Sequence, residues 1–353
     1  MSSFSRKIID WQRRHGRHGL PWQGTRDPYV IWVSEIMLQQ TQVTTVIPYF
    51  NRFIARFPDV AALASASDDE VMQHWSGLGY YSRARNLLKA ARVVMDRHRG
   101  KFPTAFVDLV ELPGIGESTA GAIAAFSSGE IRPILDGNVK RVLARCFAIP
   151  GYPGTTETAR ALWEVAGSLM PKSDVEAYTQ GMMDLGSTLC LRSRPLCAAC
   201  PVADVCVARK EGRVAEFPGR KPRKEVPRRS TAMLILRRGS KVFLEKRPPT
   251  GIWGGLWCLP ETPHAGDIAP GTLARFGVRV KRADALVPFE HQFTHFHLTI
   301  TPLLCDVAEL KQSAREREGA WLPLDEALAV GLPAPVKRIL ESIARDESRD
   351  RAK

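Results

Sequence analysis

Residues Pro28 to Leu38 read PYVIWVSEIML, apolar at every position except Ser34 and Glu35, so a helix over this stretch is buried nearly all round. An ionised Glu is costly there unless paired, and burial moves its pKa up toward the range a general acid needs near neutrality. A buried Arg, or a helix end that returns the side chain to water, would account for the same Glu without chemistry. Asp136, in IRPILDGNVKRVL, stands just before a helix that begins near Asn138, and Asp is a preferred helix cap. Together the two acids suit a second role. Cleaving a glycosidic bond passes through an oxocarbenium-like state, which one protonated carboxyl and one ionised carboxylate lower between them. The sequence alone does not bring them together.

Four cysteines, Cys190, Cys197, Cys200 and Cys206, fall in the pattern C-x6-C-x2-C-x5-C, while Cys146, Cys258 and Cys305 stand alone. Clustered thiolates suit an iron–sulfur cluster, and also structural zinc, although zinc sites more often pair two short knuckles across a longer loop. Arg192 and Arg194 lie inside the first interval, where a folded loop could offer them to phosphates or simply leave them as surface charge. A third motif, Leu112-Pro113-Gly114-Ile115-Gly116, separates two helical segments, Thr104–Glu111 and Glu117–Phe126. Two glycines two apart allow a tight turn whose backbone N–H groups, with the next helix's N-terminus, can approach a phosphate. A plain helix–helix turn needs glycine equally.

These groups need a frame, and the periodicity supplies one. Val43, Val46, Ile47, Phe50, Phe53, Ile54 and Phe57 mark one helix and Val139, Val142, Leu143 and Phe147 another, with start signals at Asp27-Pro28 and at Ser67 with Glu70. Residues 1–206 are expected to be all-helical. Residues 207–230 hold nine basic and three acidic side chains and three prolines, which predicts an extended basic linker, either a solvated tether or a nucleic-acid contact. From 231 to 353 short apolar runs, TAMLILRR and KVFLEKRP, flank Gly239-Ser240 as in a hairpin, and helical spacing returns near Leu324–Val330 and Val336–Ala344. That half is expected to be α+β, giving a multi-domain chain.

The composition fits a globular protein: of 353 residues 44% are hydrophobic and 25% charged, which excludes bulk disorder. No apolar run approaches the roughly 18 residues of a membrane span, and the first residues lack a signal-peptide core, so no membrane and a cytoplasmic location are expected. A net charge of +13 favours a polyanionic partner.

The motifs LPWQ, SEIMLQQTQV, GLGYYSRARN, LPGIGESTAGAI, ILDGNVKRV, MMDLG, the four-Cys loop, RPPTGIWGGLWCLP and FTHFHL occur in the order and spacing of MutY-type adenine DNA glycosylases, and the resemblance covers nearly the whole chain. It implies an all-α helix-hairpin-helix glycosylase domain with a [4Fe–4S] loop, followed by a Nudix-like lesion-recognition domain. The implied activity is removal of adenine mispaired with 8-oxoguanine or guanine in double-stranded DNA, by a monomer. Carried over residue by residue, Glu35 resembles the acid that protonates the flipped adenine, Asp136 the carboxylate that stabilises the oxocarbenium ion, and Asn138 a helper beside it. Trp22 is similar to a wall of the base pocket. Gln40 and Tyr80 resemble the residues that enter the duplex. Gly114 and Gly116 resemble the hairpin grip, and Phe293, Thr294 and His295 the lesion-sensing loop.

Two positions depart from related patterns. Lyase-competent enzymes of the endonuclease III type carry Lys where this chain has Ser118, so no Schiff base forms there and water becomes the nucleophile, although Lys140 lies nearby in sequence. The lesion loop usually reads Phe-Ser-His, and here it has Thr294. The alternatives left by the residues are an endonuclease III-like glycosylase/lyase and a non-catalytic iron–sulfur DNA-binding protein. A Nudix pyrophosphatase is discounted, because no Glu-rich metal-binding run follows Trp257.

Overall fold

A computed structural model describes residues 2–222, 225–262, 271–273, 278–310 and 319–351. The first part is helical: α1 (Ser3–His15), α2 (Pro28–Leu38), α3 (Val43–Arg56), α4 (Val60–Ser65), α5 (Asp68–Trp75), α6 (Ser82–Arg97), α7 (Phe106–Leu109), α8 (Glu117–Ser128), α9 (Gly137–Cys146), α10 (Thr156–Ser168), α11 (Val175–Thr188) and α12 (Val207–Lys210). Local chemistry sets their starts. Asp27 accepts from the Tyr29 N–H ahead of Pro28, and Ser67 accepts from the Glu70 N–H. The helical residues pack a core from Ile8, Ile9, Val142, Leu143, Leu162, Met182 and Leu185, which fixes α1, α9, α10 and α11 against one another. A Cβ at Gly186 would lie 2.5 Å from the Asn138 Cβ, so α11 and α9 touch at backbone distance only because that residue is glycine.

The helix expected over 104–111 shrinks to the four residues of α7. The chain must already turn at Leu112–Ile115, where Gly114 takes φ +82 and a Cβ would meet Asn86 at 2.8 Å. The stretch 207–230 is not extended throughout. It carries α12, and Ala208 and Phe217 are buried in the helical core, so only its later part is free of helix before strand pairing begins at Arg228.

The remaining residues form a mixed sheet: β1 (Arg228–Arg238), β2 (Lys241–Lys246), β3 (Trp257–Cys258), β4 (Glu261–Thr262), β5 (Gly271–Leu273), β6 (Val278–Ala285), β7 (Phe289–Gln292), β8 (His297–Leu310) and β9 (Gly319–Pro323), with α13 (Leu324–Ala329) and α14 (Ala334–Arg351). The order is β3-β2-β1-β8-β6-β5, with β4 on β1, β7 on β8 and β9 on β2. β1 and β2 form the hairpin expected at Gly239-Ser240, and β1 runs parallel to β8 from Arg228↔His297 to Arg237↔Asp306. The chain separates into two compact units, residues 1–65 with 86–223 and residues 66–85 with 224–353. The segment from Ala66 to Arg85 therefore folds with the sheet. Among the described residues no helix is long and apolar enough to cross a membrane.

Candidate active site

In the helical unit a cavity of about 1720 Å³ is lined by Trp22, Glu35, Gln40, Ser118, Asp136 and Asn138. Six residues singled out in the sequence thus meet at one place. Glu35 comes from the last turns of α2, whose other side chains from Tyr29 to Met37 are largely buried, so its carboxyl reaches solvent only through the cavity. It accepts no hydrogen bond from the described residues. Burial first, and then the charge of Asp136, push its pKa from 4.5 up to about 8, against a smaller pull from Arg17. That pull is weak for a structural reason. Arg17 Nε and backbone N–H both donate to the fully buried Asp184, at 2.6 and 2.8 Å, so its charge is largely spent there. Glu35 is consequently protonated at neutral pH.

Asp136 is the N-cap of α9 and accepts from the Asn138 and Val139 N–H groups at 2.9 and 2.7 Å, with the Asn138 amide at 3.4 Å. Burial raises its pKa, while these donors and Arg141 lower it. Its capping role and its place in the cavity coexist, because one oxygen is enough to cap. Two carboxyls thus line one cavity in different settings, one without donors and one ringed by N–H donors that favour its ionised form against burial. The arrangement suits proton donation beside a carboxylate.

Arg141 was not singled out from the sequence. It donates to the Asn138 amide oxygen at 2.9 Å, to the Gly186 carbonyl at 2.6 Å and to the Cys190 carbonyl at 2.7 Å, linking Asp136's neighbour to the cysteine loop. One turn along α9, buried Arg145 donates to the Phe217, Leu191 and Arg192 carbonyls and lies 3.3 Å from Cys190 Sγ. The i, i+4 spacing of two arginines before the cysteines was the available signal.

Cys190, Cys197, Cys200 and Cys206 line one apolar cavity, and Cys146, which the sequence left alone, lines it too. Among the described residues no group of three or more His, Cys, Asp or Glu side chains could hold a metal ion. The thiols line one apolar hollow, and Arg141 and Arg145 lie near Cys190 to offset negative charge, so the donor chemistry fits a thiolate-bound metal group. Arg192 and Arg194 are exposed on that loop.

Ser118 accepts from the Leu135 N–H at 2.9 Å, a structural use of its hydroxyl. Lys140 Nζ lies 3.4 Å from the Pro153 carbonyl and does not line the cavity, whose one lysine among the described residues is the exposed Lys172. Gly114 and Gly116 are exposed, and Gly116 precedes α8 with no side-chain cap, which leaves the first N–H groups of that helix open. Tyr80, Phe293, Thr294 and His295 belong to the other unit. Phe293 stacks on Phe296 at 4.4 Å and meets the rings of His291 and Trp253 at 4.7 and 5.5 Å. Thr294 and His295 are exposed at the bend above them.

Residues 33–167 match the model of the HhH-GPD superfamily of base excision DNA repair proteins, and residues 231–342 match a NUDIX domain. The chain is 36% identical over 344 residues to an adenine DNA glycosylase of Buchnera aphidicola from Acyrthosiphon pisum, covering 97% of this chain and 98% of that one. It is 31% identical to the mouse adenine DNA glycosylase, over 96% of this chain and 77% of that one. A solved structure of a thermostable thymine-DNA glycosylase superposes with a TM-score of 0.54 at 28% identity, covering 59% of this chain and 95% of that one. With full-length kinship to curated relatives and both family modules in place, the chain belongs to the adenine DNA glycosylases, base-excision repair N-glycosylases of the HhH-GPD superfamily.

Proposed function

We propose that this protein removes adenine mispaired with 8-oxoguanine, or with guanine, from double-stranded DNA by hydrolysing its N-glycosidic bond, without cutting the strand. The observation that carries the reading is the carboxyl pair in one cavity, with Glu35 held at about 8 by burial and by Asp136. A base inside a duplex is out of reach, so adenine must be extruded into the cavity, with Trp22 as one wall and Gln40 and Tyr80 entering the duplex. Glu35 donates its proton to a purine nitrogen. The bond from C1′ to the base then breaks with its electron pair leaving on adenine, and Asp136, oriented by Asn138, stabilises the positive charge on the sugar. Water adds to C1′ and returns a proton to Glu35.

The absence of strand cleavage follows from Ser118, whose hydroxyl is engaged with Leu135, and from Lys140, which is turned to the Pro153 carbonyl. Neither supplies a free amine for a Schiff base. DNA is gripped at the open N-terminus of α8 behind Gly114 and Gly116, with Arg192 and Arg194 on the cysteine loop as further phosphate contacts. One [4Fe–4S] cluster on Cys190, Cys197, Cys200 and Cys206 would brace that loop. Phe293, Thr294 and His295 sense the base opposite adenine. The protein acts as a monomer in the cytoplasm.

The test is incubation with a duplex holding adenine opposite 8-oxoguanine, followed by alkali. Free adenine and an alkali-dependent break are expected. A break without alkali would instead favour the glycosylase/lyase alternative, and no abasic product from folded, iron-loaded protein would leave only DNA binding.

A further inference from the structure

The loop between α5 and α6 is held in a demanding shape. Gly77 and Gly79 take φ of +102 and +71, and Tyr80 itself sits at φ +48, a left-handed backbone that a bulky side chain keeps only when its surroundings impose it. Those surroundings are visible. Trp75 Nε1 donates to the Gly79 carbonyl at 3.1 Å, and Arg83 donates to the Leu78 and Gly79 carbonyls while lying 5.3 and 5.5 Å from the Trp75 and Tyr80 rings. Tyr80 remains 44% exposed, presented rather than packed.

This loop is fastened to the sheet-bearing part of its own unit. Ser76 and Tyr81 hydroxyls both donate to the Leu332 carbonyl, at 2.8 and 3.3 Å, and Lys246 pairs with Asp69 at 2.6 Å. Arg85, half-buried at the start of α6, donates to the Gly254 carbonyl at 2.6 Å. Gly254 directly follows Trp253, which has φ +54 and whose ring packs on Phe293 at 5.5 Å. An unbroken chain of contacts thus runs from the Tyr80 loop through Arg85, Gly254 and Trp253 to Phe293, the base on which Thr294 and His295 stand.

We propose that Arg85 is a specificity-determining positioning residue: by holding Gly254 it locks the loop that presents Tyr80 to the loop that presents Thr294 and His295, so that the two read the base opposite adenine as one rigid sensor. The proposal rests on the 8-oxoguanine reading above. Its physical content is rigidity. Two probes on one body pay the ordering entropy of docking once, whereas two independently mobile probes pay it separately.

The test compares wild type with R85A and R85K in the full chain, by amide hydrogen exchange and by single-turnover excision of adenine opposite 8-oxoguanine and opposite guanine. R85A should speed exchange in both 77–81 and 251–255 while leaving 28–38 and 137–146 unchanged. It should lower the preference for 8-oxoguanine by about tenfold, the effect of one charge-assisted hydrogen bond, chiefly through the 8-oxoguanine rate. R85K keeps a donor and should recover most of the preference. An unchanged preference in R85A, or exchange that rises only in 77–81, overturns the proposal. So does an equal fall of both rates, which would make Arg85 merely structural. Equal wild-type rates opposite the two bases would instead refute the reading beneath it, while the exchange data still report whether the two loops are coupled.

Discussion

The two units handle polar chemistry in opposite ways. In the helical unit the packing around Glu35 and Asp136 leaves them little water beyond the cavity they line, and the penalty appears as a Glu pKa of about 8. In the other unit Thr294 and His295 stand exposed on a stack of Phe293, Phe296, Trp253 and His291. A proton donor gains its power from desolvation, whereas a sensor must meet its partner from outside and gains precision from a stiff aromatic support. Bond cleavage and mismatch choice should therefore separate on substitution.

The sharpest separation is expected at Glu35. Glu35→Gln keeps the volume but has no acidic proton, and excision should fall by roughly 10²–10⁴, the usual worth of a general acid. The same variant should be more stable. A carboxyl whose folded pKa lies above its unfolded one costs the fold nothing below pH 4.5, costs more as pH rises toward 8, and costs up to about 3 kcal/mol at pH 7. Calorimetry should thus show a higher Tm for Glu35→Gln at neutral pH and nearly equal values near pH 4.

Asp136→Asn comes next. Asn caps helices about as well as Asp, so α9 should remain folded by circular dichroism while single-turnover excision drops by roughly 10²–10³ for the lost charge. Wild-type rates would reduce Asp136 to a cap. Cys197→Ser should strip iron and visible absorbance from the purified protein and weaken DNA affinity more than it slows excision at saturating protein, measured by binding titration beside single turnover.

Smaller effects are expected at the proposed sensing loop. Phe293→Ala removes the stacked ring and should lower the preference for 8-oxoguanine over guanine by about tenfold, in line with loss of an aromatic contact, with the guanine rate little changed. Thr294→Ser, which keeps the hydroxyl, should change that ratio by less than about fivefold, since one methyl is worth at most ~1 kcal/mol. Truncation after Val226 is the blunter form of this test. It removes the 293–295 loop and also strips residues 66–85 of their partners, so it should disturb Tyr80 as well.

Much of this was legible in the sequence where the signal is local. The caps at Asp27 and Ser67, the hairpin at Gly239-Ser240 and the buried helix around Glu35 follow from spacing and turn chemistry, which act over a few residues. What required the fold is long-range. Periodicity shows which face of α6 is apolar and cannot say that its first residues bind Gly254, 169 positions away. Cys146 reads as an ordinary core thiol until α9 is laid against the loop that holds the other four. Gly186 looks like any helical glycine in MMDLG. Only the 2.5 Å approach to Asn138 gives the reason for it. The pairing of Arg17 with Asp184, which leaves Glu35 uncompensated, joins residues 167 apart.

The protonated Glu35 is the point on which the account turns, and the pH dependence of single-turnover excision of adenine opposite 8-oxoguanine tests it most directly. The rate should hold through neutrality and then fall about tenfold per pH unit above about 8, as the Glu35 proton is lost. A rate that stays level to pH 10, or that rises through pH 8, would contradict it.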